Sequence, residues 1–276
     1  MKSALDLDIQ SQLIVKACNY QSLDDIKRVL ESIEDIEELY CAVSEFRGMN
    51  GYNFLYRGLS DSSYELLPTI VRNDVKDYSQ EVDVLEKAKS ICKEYGCDKY
   101  KLPTFNVNLF YMSICRHLGL YSRLIDWSAD LWSSLSFLMS ENNLDKDGAL
   151  WIMAISRKDI QVEEIDPFID DNKIHVLKED YYIPDECIIT DQPLGIFRRY
   201  RQHGYFTVSP KDSIDIPFER ITLPNGMELI RIIIPSTTKK MLLGYEKIVD
   251  VRNLMIDDNN SLLKEIKLLN HEYLRK

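Results

Sequence analysis

Apolar residues recur at helical spacing near the start of the chain, where Leu30, Ile33, Ile36, Leu39 and Val43 stand among many acids. Positions three and four apart fall on one face of a helix, so residues 1–45 predict one or two amphipathic helices. Residues 74–96 carry a solvated-face helical pattern closed by Gly96, and 106–119 a second one that ends at Gly119. Ser128 reads as the cap of a further helix, ADLWSSLSFLMS, with Asp130 in its first turn where the helix dipole favours an acid. The tail 259–276 is amphipathic, with basic residues in its last turns.

Between these stretches the pattern changes to short apolar runs. GALWIMAIS (148–156) and MELIRIIIP (227–235) read as strands, and so do Tyr52 to Tyr56, CIITD (187–191) and YFTV (205–208). Helices and strands mix without strict alternation, which predicts an α+β fold: a mixed, mostly antiparallel sheet flanked by helices. The acidic stretch 157–186 lacks periodicity and reads as an inserted loop region.

Composition narrows the function classes. The 276 residues are 45% hydrophobic, enough for one large domain or two unequal ones. No run approaches about 18 consecutive apolar residues, so no span of a membrane is expected. The start, MKSALDLDIQSQL, has acids where a secretory signal has bases, and a cytoplasmic location is expected. The net charge of −11 argues against general nucleic-acid binding. Six scattered cysteines without a Cys-x-x-Cys predict reduced thiols, and four histidines far apart predict no metal site. Gly-x-x-x-x-Gly-Lys, Gly-x-Gly-x-x-Gly and Gly-x-Ser-x-Gly are absent.

Four stretches hold candidate chemistry. An aromatic-Arg-Gly tripeptide occurs twice, as Phe46-Arg47-Gly48 and Tyr56-Arg57-Gly58. Arg47 sits at a helix end and reads as a partner of the dipole. Arg57 ends a strand, where its fork suits a phosphate or carboxylate and the glycine would let a ligand near the backbone; a salt bridge to a neighbouring acid is the alternative. In RHLGLYSRLIDWS (116–128), His117 lies in the last turn of a helix. Arg123 and Asp126 point to opposite faces of a strand, so each needs its own partner, in a polar core network or a ligand site. In RRYRQHGYFTV (198–208), Gln202 offers a donor and an acceptor at the end of a basic helix. Glu228 and Arg231 interrupt the apolar run of the last strand, and Glu228 reads as an edge residue.

Together these stretches resemble the FRG domain, a bacterial and phage family named for an aromatic-Arg-Gly motif. The matching residues are Tyr56-Arg57-Gly58 with Leu59-Ser60-Asp61, Leu67-Pro68 and Arg72; His117 and Gly119; the run Ser122 to Ser128; and Gln202, Gly204 and Phe206. Arg116 stands where the family more often has glutamine. On this resemblance residues 35–276 form the FRG domain, preceded by a helical segment over 1–34. A looser likeness to ADP-ribosyltransferases implies an NAD-like nucleotide as ligand, with Arg57 holding its phosphates and Ser128 orienting the nicotinamide ribose. A late glutamate would stabilise the transition state, and here Glu228 or Gln202 would have to serve. The resemblance thus implies a ligand set of Arg57, His117, Arg123, Asp126, Ser128 and Gln202. Three roles follow: a nucleotide-binding protein with transferase activity, a non-catalytic module recognising a nucleotide or protein partner in phage defence, or a toxin directed at RNA.

Overall fold

A computed structural model describes residues 22–26, 29–49, 51–75, 79–97, 107–139, 143–156, 175–178, 204–223, 225–248 and 260–273. The fold is α+β, and every strand pair of defined register is antiparallel. The chain divides into two compact units, each assembled from three segments.

The first unit comprises Met1–Tyr64, Ser128–Gln161 and Leu223–Val251. Its sheet places β3 (Gly148–Ser156) between β1 (Tyr52–Leu59) and β6 (Met227–Ile234). Tyr56 lies opposite Ile152, which lies opposite Ile230; one residue on, Arg57 faces Trp151 and Trp151 faces Arg231. Side chains alternate between the faces of a strand, so these two rows project from opposite sides. One face carries Phe54, Tyr56, Leu150, Ile152, Ala154, Ile230, Ile232 and Ile234 into a core shared with two helices. Helix α1 (Ile33–Met49) contributes Ile36, Leu39, Val43 and Phe46, the apolar stripe seen in the sequence. Helix α5 (Leu131–Leu138) contributes Leu131, Trp132, Leu135 and Leu138. Fully burying such a side chain stabilises by about 1.5–3 kcal/mol.

The second unit comprises Glu65–Trp127, Val162–Thr222 and Arg252–Lys276. After the short helix α2 (Thr69–Arg72), helix α3 (Glu81–Glu94) and helix α4 (Val107–His117) enclose a core with Val84, Leu85, Ala88 and Cys92 from α3 and Tyr111, Met112, Ile114 and Cys115 from α4. Leu262 and Ile266 join from the helix Asn260–Leu268. Strand β5 (Gly204–Val208) lies between β4 (His175–Lys178) and β2 (Leu124–Ser128), and sends Phe206 and Val208 into this core. The 117–120 turn is a Schellman motif: Gly119 has φ +91°, Leu120 N–H donates to the Cys115 carbonyl at 2.8 Å, and Gly119 N–H donates to that of Arg116 at 3.1 Å.

Several expectations are corrected. The helix expected from residue 74 begins at Glu81, since Asp74 takes a left-handed φ of 56° that no helix continues through. The acidic stretch read as loop contains β4, a strand too short to show a period. Asp130, not Ser128, caps α5: its carboxylate accepts from the Ser133 N–H at 2.7 Å. The tail forms two helices, Asn260–Leu268 and Asn270–Tyr273, instead of one. The strand expected at 187–191 lies outside the described residues. The four described cysteines, 41, 92, 97 and 115, are in the thiol form, with no disulfide among them.

Candidate functional site

The first unit places Arg57 on β1, half-buried, on the sheet face away from the α1/α5 core. Directly opposed positions on neighbouring strands bring Cβ atoms to about 5 Å, so Arg57, Trp151 and Arg231 form a lateral row across three strands. The Arg231 guanidinium carbon lies 5.6 Å from the centre of the Trp151 ring, a cation–π distance. Arg231 Nη2 also donates to the Ser62 carbonyl. Trp151 is only 6% exposed, and its indole Nε1 has no hydrogen-bond partner among the described residues. Leaving a buried donor unmade costs about 1–3 kcal/mol. Trp151 was not a sequence candidate, because GALWIMAIS reads as uniformly apolar; the parity it shares with Arg231 was the available signal.

The glycine of the motif has a different purpose from the one expected. A Cβ on Gly58 would stand 2.0 Å from the Ser134 carbonyl oxygen. Gly58 thus lets the backbone of α5 settle on β1, whereas the sequence suggested room for a ligand.

Tyr56 pairs with Ser128 across β1 and β2, which puts Ser128 on the core face, opposite to Arg57. The Ser128 hydroxyl accepts from the Asp130 N–H at 3.0 Å and donates to the Asp130 carbonyl at 3.1 Å. It holds the turn that launches α5. Glu228 sits opposite Ala154, with the same parity as Ile230, and so also projects from the core face. It lies on β6, the last strand in the sheet order, as an edge residue.

The other described candidates belong to the second unit. Arg123 is 1% exposed and Glu81 3%. The Arg123 Nε donates to both Glu81 carboxylate oxygens, at 3.0 and 2.9 Å, and Nη1 donates to the Ser209 carbonyl at 3.0 Å. Asp126 accepts from Arg116 Nη2 at 2.6 Å. Arg123 and Asp126 have separate partners as expected, although Arg123 lies in the bend just before β2 and only Asp126 is on the strand. Arg116, the departure from the family pattern, is the partner of Asp126. Burial, and then the neighbouring Arg116, lower the pKa of Arg72, with Asp126 opposing. His117 is buried with its ring centre 5.6 Å from that of Phe206. Trp127 Nε1 donates to Thr207 Oγ1 at 3.0 Å. Gln202 and the rest of FRRYRQH lie outside the described residues.

Beside the motif, in the first unit, lies a buried ammonium that the sequence did not flag. Lys239 Nζ donates to the carbonyls of Ser60, Asn143 and Lys146 at 2.7, 2.6 and 3.0 Å. Burial lowers its pKa, while Asp61 and Asp147 pull it back. Asp61 accepts from Lys146 Nζ at 2.5 Å and from the hydroxyl and N–H of Ser63 at 2.7 and 2.9 Å. The Lys146 bond, followed by those of Ser63, holds the Asp61 carboxyl well below the usual carboxylate range.

Among the described residues no group of three His, Cys, Asp or Glu is placed to hold a metal ion, and no helix is long and apolar enough to cross a membrane. Comparison with curated proteins and with solved structures returns no match. Comparison with protein families returns the FRG domain over residues 52–147, a stretch that runs from β1, with its Tyr56-Arg57-Gly58, through His117 and the whole run Ser122 to Ser128. An FRG domain is thus present over residues 52–147.

Proposed function

We propose that this FRG domain binds a nucleotide of NAD type through Arg57, as a recognition module that performs no ADP-ribosyl transfer through Glu228. The observation behind this reading is the row Arg57–Trp151–Arg231, with two guanidiniums on either side of a buried indole N–H. A guanidinium fork matches the oxygens of a phosphate with two parallel charge-assisted bonds. A second guanidinium on the same face concentrates positive charge locally in a chain of net charge −11. The indole N–H supplies a further donor.

The register disfavours transferase chemistry. Cleaving the nicotinamide bond requires a carboxylate close to the ribose while the phosphates are held. Ser128 and Glu228 project from the face opposite to Arg57. Without that carboxylate the reaction loses electrostatic stabilisation of about 3–4 kcal/mol. The RNA-directed reading rests on the basic cluster FRRYRQH (197–203), which lies outside the described residues.

Calorimetric titration with NAD, ADP-ribose and ADP, together with an assay for free nicotinamide, tests the reading. Binding is expected without nicotinamide release. Arg57→Ala should weaken it by roughly ten- to a hundredfold, the loss of one or two hydrogen bonds to charge, and leave the melting temperature nearly unchanged. Nicotinamide release that disappears in Glu228→Gln would overturn the recognition reading, and equal binding by the parent and Arg57→Ala would overturn the site.

A further inference from the structure

We propose that Tyr40, Trp132, Tyr245 and Glu37 form a recognition box for a methylated ammonium group, and that Lys247 fills this box from within the chain. The box belongs to the first unit and shares no residue with the nucleotide site, so the two readings stand or fall separately.

The walls are three aromatic rings. The centres of Tyr40 and Trp132 are 6.1 Å apart with planes at 43°, and those of Trp132 and Tyr245 are 5.4 Å apart at 41°. An aromatic face carries the negative side of the ring quadrupole, which attracts a cation placed over it. The Lys247 ammonium stands over two of these rings, 4.8 Å from the centre of Trp132 and 5.7 Å from that of Tyr40, and Tyr245 adjoins Trp132. The fourth side is a carboxylate: Glu37 Oε1 accepts from Lys247 Nζ at 2.6 Å and also from the Tyr245 hydroxyl.

The scaffold explains why these groups meet. Glu37 and Tyr40 are three residues apart on α1 and so share one face. Trp132 lies in the first turn of α5, with 8% of its surface exposed. Tyr245 and Lys247 follow the helix Ser236–Leu242 in two successive turns, closed by Tyr245 N–H on the Leu242 carbonyl and Ile248 N–H on the Tyr245 carbonyl. Those closures are made by backbone alone, so the turn does not depend on where the Lys247 side chain lies.

The side chain is also within reach of solvent. Lys247 keeps 37% of its side-chain surface exposed and Tyr40 is 42% exposed, so the box opens outward. A primary ammonium in such a place gives up strong hydration for one ionic hydrogen bond and two ring faces. A methylated ammonium is less strongly hydrated and spreads its charge over methyl groups that can touch several rings at once. Three rings and a carboxylate therefore suit a quaternary or methylated ammonium better than the lysine now there. Choline-type head groups and trimethylated lysine share this chemistry.

The test uses the full chain and its Lys247→Ala variant, titrated with tetramethylammonium chloride against sodium chloride at matched ionic strength. Lys247→Ala is expected to bind tetramethylammonium at least tenfold more tightly than the parent, and Trp132→Leu in that background should remove the binding. Choline and a trimethyllysine peptide, run as further arms, distinguish the two sources. Acetylation of the parent chain by acetic anhydride gives a second readout: tetramethylammonium should raise labelling of Lys247 and leave that of exposed Lys93 unchanged. A folded Lys247→Ala chain with no binding above the sodium control overturns the proposal. Should that variant fail to fold, unchanged labelling of Lys247 in the parent overturns it instead.

Discussion

Replacing Arg123 with methionine removes a guanidinium that donates to both Glu81 oxygens and to the Ser209 carbonyl, and takes this counter-charge from the Glu81 carboxylate, 3% exposed. Breaking a buried ion pair from one side costs about 3–5 kcal/mol, because the remaining charge stays desolvated. At about 2–4 °C of melting temperature per kcal/mol, the expected drop is roughly 6–20 °C. Glu81→Gln should cost a similar amount, since it strands the guanidinium instead. The double variant Arg123→Met/Glu81→Leu removes both charges and leaves chiefly the Ser209 carbonyl short of one donor, a loss of about 1–3 kcal/mol. The two single losses should therefore fail to add, with a coupling energy of roughly 2 kcal/mol or more. Urea denaturation followed by circular dichroism, run as a double-mutant cycle, measures this directly. Singles within about 2 °C of the parent, or a double variant equal to the sum of the singles, would refute a structural ion pair at Arg123.

Gly58→Ala should destabilise by roughly 1–3 kcal/mol, the range for forcing extra bulk into a packed site, because its Cβ would meet backbone, which yields less readily than a side chain; thermal melting checks it. Lys239→Met should cost about 3 kcal/mol as three carbonyls lose an ionic donor, read as an earlier urea midpoint with an unchanged slope. The Asp61 carboxyl is held below its ordinary pKa of 3.8 and the Lys146 ammonium above its ordinary 10.5. Their contribution should be full between these values and fade as pH falls below about 4 or rises past about 10, so the acid limb of the stability curve should flatten in Asp61→Asn. Burial, then the Glu37 carboxylate, raise the Cys41 thiol pKa, and Lys247 opposes them; Lys247→Ala should slow alkylation at Cys41, measured by mass spectrometry of its peptide.

The strands were the most legible part of the sequence. GALWIMAIS spans β3 from end to end, because a strand covered on both faces leaves an unbroken apolar run; MELIRIII spans β6 although Glu228 and Arg231 interrupt its apolar run. Strand β4 was not legible, since four residues inside an acidic stretch carry too little pattern. Helix ends followed local rules where the signal was backbone geometry, as at Gly119, and shifted where two caps competed, as at Ser128 and Asp130. The site was half legible. That Arg123 and Asp126 would not pair with each other was legible, but their partners are set by tertiary packing, with Glu81 42 residues away along the chain. The rings around Lys247 come from three distant segments, and no local pattern announces them.

The aromatic-Arg-Gly tripeptide has two anchors and one reporter. Tyr56 is buried in the α1/α5 core, where burial also raises its phenol pKa, and Gly58 sits beneath the Ser134 carbonyl on the same face. Both fix the height and register of β1 against α5. Strand alternation then leaves the arginine between them to project from the opposite face, beside Trp151. A strand pinned on both sides of a residue holds that residue's backbone still, and a fork aimed from a still backbone loses less entropy on meeting an anion. On the proposed reading, the motif's rigid positions and its charged one act through separate quantities, stability for Tyr56 and Gly58 and affinity for Arg57. A ligand argument based on this motif belongs to the arginine alone.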